Sequence, residues 1–175
     1  AGAFCLNFLR EIPPQRSANP PNSPRRESGF WRDSWRIALV TRKLKVAHTH
    51  PNVAANYLRK ALEFRHAMNA ALAEREGNAA ALNAVHCAIS AADALCVHVG
   101  GVRSSSKNHA DAVRLLAELV PGEVGRRQAD RLATVLAKKN QVEYEERLFS
   151  VDEALTLSKQ AERLFDWVRG LIGPL

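Results

Sequence analysis

Between Asn78 and Val99 the chain runs with a single formally charged side chain, Asp93, until Gly100-Gly101 breaks the pattern. Ala81, Val85, Ala88, Ile89, Ala92, Leu95, Cys96 and Val99 recur at helical spacings there. This predicts one long helix with a broad apolar side, capped by Asn78 and stopped by the glycine pair. The remaining segments are organised around this stretch.

Upstream, Val53, Tyr57, Ala61, Phe64, Met68 and Leu72 are spaced by four and three, predicting an amphipathic helix that starts near Pro51 and is closed by Gly77. Downstream, His109 to Val120 reads as a short helix burying Val113, Leu115, Leu116 and Leu119, stopped by Pro121-Gly122. A fourth helix is expected over about 124–139 with Leu132, Val135 and Leu136 inside, after which the pattern weakens up to Phe149. Ser150 and Glu153 have the capping-box spacing ahead of a final helix that carries Ala154, Leu157, Ala161, Leu164, Phe165, Val168 and Leu171 and ends at Gly173-Pro174. β-branched runs bounded by turn signals are nearly absent. The expected fold is all-α, an antiparallel bundle of four to five helices over residues 51–175.

Residues 1–50 differ in kind. They hold nine Lys/Arg against three Asp/Glu, whereas the rest holds 16 against 15, so the net charge of +7 belongs mostly to this segment. Residues 13–28 are rich in Pro, Ser and Arg and lack the apolar residues to fold. The stretch from Phe30 to Val46 is basic and amphipathic at roughly helical spacing. It reads either as an arm for nucleic acid or a membrane surface, or as a helix docked on the bundle, or as upstream sequence outside the native product. No secretory signal pattern and no window of about 18 consecutive apolar residues is found, so neither export nor a membrane span is expected. Cys5, Cys87 and Cys96 form no CxxC pair and no even framework, which fits a reducing, cytoplasmic setting.

Chemistry concentrates at the end of the central helix. His86, Ser90 and Asp93 are spaced four and three apart and share one polar stripe. A carboxylate among alanines is costly to bury without a positive partner, and Arg103, Lys107 and His109 are the nearest candidates. A salt bridge from Asp93 to Arg103 would also hold that guanidinium still. Ser106 or Asn108 can cap the helix that His109 opens, and its free N–H groups together with Lys107 suit a phosphate. Lys138, Lys139, Asn140 and Tyr144 make a second polar cluster. The lysines could hold RNA phosphates with Tyr144 stacking on a base, or the cluster could be a favourable helix end with Tyr144 packed at the bundle edge.

The long helix bearing AVHCAISAADA, the following GVRSSSKNH, and the later KKNQVEYEERLFSVDEAL ahead of a terminal helix together resemble a HEPN domain, over roughly residues 53–172. The family hallmark is an Arg, four to six residues, and a His, a pattern that Arg103 and His109 meet. The resemblance implies a metal-independent endoribonuclease, acting as a homodimer on RNA, often the toxin of a toxin–antitoxin system with a cognate antitoxin protein, or a defence component. It assigns Arg103 and His109 to catalysis, with Asp93, His86, Lys107, Asn108 and Tyr144 in support and Lys138, Lys139 and Asn140 on RNA. Many active members place Asn, Asp or His directly after the arginine, whereas this chain has Ser104. Other relatives are non-catalytic modules that bind a protein or nucleotide partner, the alternative reading. No cofactor is expected, and no HExxH, Cys/His ligand spacing, nucleophile elbow or glycine-rich phosphate loop occurs.

Overall fold

In the computed structural model, which describes residues 44–173, the central helix is enclosed on nearly every side. This helix, α2 (Gly77–Gly100), buries Ala80, Ala84, Cys87, Ala91 and Ala94 as well as the apolar side expected of it. Small side chains let its neighbours approach closely all round. Those neighbours are chiefly α1 (Ala54–Ala73) and α6 (Val151–Ile172). The shorter α3 (His109–Leu119), α4 (Glu123–Leu136) and the six-residue α5 (Lys139–Tyr144) complete the set among the described residues. The core also takes in Leu58, Met68, Leu95, Leu116, Leu132 and Phe165. The fold is thus an all-α bundle, as expected.

By length and composition α2 could cross a membrane, with a mean hydropathy of 1.5 over its most apolar window, yet 72% of that window is buried inside the bundle. His86, Ser90 and Asp93 interrupt the run, which is why a search for unbroken apolar residues passes over it.

Several helix ends differ from expectation for identifiable reasons. Asn78 does not cap α2; its Oδ1 accepts a 2.6 Å hydrogen bond from the Phe149 amide and ties the loop before α6 to the core. Gly77 does not close α1 either. The chain turns at Arg75, which takes φ 60°, and Gly77 is the first residue of α2, where an added Cβ would run into the Phe149 carbonyl oxygen. Gly77→Ala is therefore expected to lower stability by about 1–3 kcal/mol, the usual cost of overpacking, in a urea or thermal melt. The Ser150–Glu153 capping box forms, with both reciprocal bonds present.

Two three-residue strands, β1 (Val46–His48) and β2 (Val102–Ser104), pair antiparallel, setting Ala47 opposite Arg103. The basic amphipathic stretch thus ends in β1 at Val46; its part before Leu44, with the linker and Cys5, lies outside the described residues. β1 precedes Pro51 in sequence and belongs to the packed unit, because Leu44 and Val46 rest against the core.

Candidate functional site

Arg103 owes its position to the ribbon. Gly101, at φ 63°, closes α2 in the left-handed conformation that glycine tolerates, and the chain turns directly into β2. Side chains alternate along a strand, so Val102 enters the core at 1% exposure while Arg103 points to the opposite side. The Thr49 amide donates to the Gly101 carbonyl at 2.8 Å and the Ser105 amide to the Lys45 carbonyl at 3.0 Å, extending the ribbon at both ends.

From Ser104 to His109 the loop is held by its own small polar side chains. Ser104 Oγ accepts from the Ser106 amide at 3.4 Å, Ser106 Oγ from the Asn108 amide at 3.1 Å, and Asn108 Oδ1 from the Ala110 amide at 3.0 Å. Each residue bonds the backbone two positions ahead, the geometry that Ser and Asn favour in turns. Of the two candidate caps, Asn108 is the one at the head of α3, and His109 is the first residue of that helix.

Arg103, His109, Asp93 and Asn108 line one cleft of about 180 Å³, formed where β2 and the loop meet α2, α3 and α4. Its floor is apolar, with Ile89, Ala92, Leu132 and Leu136. Burial pushes the Asp93 carboxyl up to about 6 against the pull of Arg103 and Lys60. Arg103 donates from Nη1 to the Ser104 carbonyl at 3.4 Å, and among the described residues no carboxylate reaches ion-pair distance of its guanidinium. The expected Asp93–Arg103 salt bridge therefore does not form, and a guanidinium not consumed by a carboxylate keeps its donors available to an anion.

The other expected site residues fall elsewhere. His86 lies in a neighbouring groove that also reaches Asp93 and Arg103, its ring stacked on Phe64 with centroids 5.1 Å apart and its Nε2 3.8 Å from Glu143 Oε1. Lys107 is exposed and outside both lining sets. Lys139 is half-buried in an ion pair with Glu143, one helical turn on. Burial works against ionisation of that carboxyl, but the Lys139 bond and charge hold it below the usual range. Lys138 donates to Gln141 at 3.3 Å, Asn140 is exposed, and Tyr144 stands 79% exposed with Lys139 Nζ 5.8 Å from its ring centre. This cluster does not line the Arg103–His109 cleft. Among the described residues no three His, Cys, Asp or Glu side chains converge as metal ligands. Cys87 and Cys96 are free and buried, and burial pushes the Cys87 thiol up to about 12.

Tyr57 and Phe64 pack against the core as the spacing predicts but are only partly buried, and with Lys60 they also line a groove that the sequence pattern does not reveal. Their shared spacing of three and four on α1 puts them on one stripe; Leu58, not Tyr57, is the fully buried residue of that turn.

The HEPN domain model matches residues 54–171, and the chain belongs to the HEPN family. No curated protein and no solved structure matches it.

Proposed function

We propose that this chain is a metal-independent endoribonuclease that works as a homodimer, with the Arg103–His109 motifs of both copies facing one cleft. The observation that carries this reading is the opening of Arg103 and His109 onto the same cleft, with the arginine's donors uncommitted to any carboxylate.

In this mechanism the 2′-hydroxyl of the RNA loses its proton to one His109 imidazole, and O2′ attacks the adjacent phosphorus. The P–O5′ bond breaks, and the departing O5′ takes a proton from a second imidazole, leaving a 2′,3′-cyclic phosphate and a 5′-hydroxyl. Arg103 neutralises the charge that builds on the non-bridging oxygens. One imidazole cannot be base and acid in the same step, and the partner's motif supplies the second. The protein acts in the cytoplasm, as a toxin restrained by a cognate antitoxin protein or as a defence component.

The test is product chemistry. Labelled RNA treated with the full chain in EDTA is expected to yield 2′,3′-cyclic phosphate ends, with no cut 3′ of a position made 2′-deoxy. Cleavage at the deoxy position, or cleavage lost on chelation, would refute the mechanism.

A further inference from the structure

A second groove, of about 340 Å³, lies between α1 and α2 and shares Ile89, Asp93 and Arg103 with the Arg103–His109 cleft. Two helical stripes build it. Tyr57, Lys60 and Phe64 stand three and four apart on α1, and His86, Ile89, Ser90 and Asp93 stand at the same intervals on α2. A short turn joins the two helices, so they run antiparallel. Phe64 therefore meets His86 at one end, while Tyr57 lies towards Asp93 and Arg103 at the other. The ring contact between Phe64 and His86 fixes the register at its end, and Tyr57, Lys60, Asp93 and Arg103 line the groove together towards the other.

Glu143 reaches His86 from α5, and Lys139 fixes Glu143 in turn. The two rings are set at 26°, and Lys60 stands exposed at the rim between the turns that carry Tyr57 and Phe64. Half-buried aromatic faces, a cation at the rim, and a serine and a carboxyl on the wall match the needs of a flat heterocycle with polar edges attached to a phosphate.

We infer that this groove is a nucleobase subsite: when a phosphate of a single-stranded RNA sits at Arg103, the adjoining base enters between α1 and α2 and stacks on Tyr57 and the Phe64–His86 pair, while Lys60 meets the next phosphate. The inference rests on the ribonuclease reading for the direction of the strand. Because Arg103 lines both cavities, one phosphate is shared by the cutting cleft and the base groove. The aromatic wall serves any base, and Ser90 and Asp93 present hydrogen-bonding groups to its edge.

The probe is a trinucleotide that carries 2-aminopurine at the middle base and 2′-deoxyriboses throughout, so that it cannot be cut. Titration with the full chain is expected to quench its fluorescence. Tyr57→Ala should weaken the apparent Kd about tenfold, in line with the loss of one stacking face, and Tyr57→Phe should restore it. A parallel arm needs no variant: 4-thiouridine in the same trinucleotide, irradiated on the wild-type chain, is expected to cross-link to the peptide holding Tyr57–Phe64. No quenching, an unchanged Kd in Tyr57→Ala, or cross-links confined to other peptides would overturn the subsite. Cleavage of ordinary RNA in EDTA without quenching would sink the subsite alone. Quenching by a chain that cuts no RNA would keep the subsite and sink the ribonuclease.

Discussion

His109→Ala is expected to lower the rate of RNA cleavage by about 10²- to 10⁴-fold, the range associated with loss of a positioned general acid or base. The change touches little else. His109 is the first residue of α3, ahead of the helix interior, and the cap on that helix comes from Asn108, which the substitution leaves in place. The melting temperature should therefore stay close to that of the wild type while activity collapses. Arg103→Lys separates charge from shape at the same site. Lysine keeps the positive charge but not the planar fork that grips two phosphate oxygens together, so it is expected to rescue RNA affinity better than rate. Steady-state and single-turnover rates on one defined RNA distinguish the two effects. Losses from the two positions should not add, because the proposed mechanism places both in one step.

Asp93→Asn is expected to make the fold more stable above pH 6, by about 1–3 kcal/mol. The carboxyl moves from 3.8 in the open chain to about 6 in the folded one because burial penalises its charge. Below pH 3.8 it is protonated in both states and costs nothing. Between 3.8 and about 6 the folded protein keeps the proton and the unfolded chain releases it, so stability falls as the pH rises through that window. At roughly 1.4 kcal/mol per pH unit, the full cost above pH 6 is about 3 kcal/mol. Urea unfolding of both proteins from pH 4 to pH 7.5 measures this: the slope should be present in the wild type and flattened in the variant. A variant less stable than the wild type at pH 7.5 would mean that the attraction between Asp93 and Arg103 outweighs the burial cost. A carboxylate kept at such cost beside Arg103 fits a site that gives up stability for function.

The helices were legible because their apolar residues repeat over many turns. In α6 the Ser150–Glu153 spacing also marked the first turn, and the structure carries both bonds of that box. The breadth of burial around α2 was harder to read, since Ala80, Ala84, Ala91 and Ala94 suit an exposed face or a tight interface equally well. The strands Val46–His48 and Val102–Ser104 were not legible at all. Three residues are too few to show alternation, and their pairing depends on segments more than 50 positions apart. Gly77 has the local signature of a helix stop but answers to the close approach of Phe149, which local sequence does not reveal.

At the site, the spacing of Arg103 and His109 and the stripe of His86, Ser90 and Asp93 could be read from residue numbers. That Asp93 and Arg103 would line two cavities at once depends on where β2 leaves the bundle. Lys139 illustrates a signal that was present and unread. Glu143 follows it by four residues, the spacing of a helical ion pair, and the pair forms. Aromatics at helical spacing, such as Tyr57 and Phe64, look like core until the packing shows which of them is covered.

The most direct measurement is cleavage of a mixed pool of labelled RNA in EDTA by the wild type, Arg103→Ala and His109→Ala, with each protein shown to be folded and dimeric. The account predicts cyclic phosphate ends from the wild type and their loss in both variants. Absence of cleavage by a folded wild-type dimer, or equal cleavage by all three proteins, would contradict it and leave the chain as a HEPN module that binds without cutting.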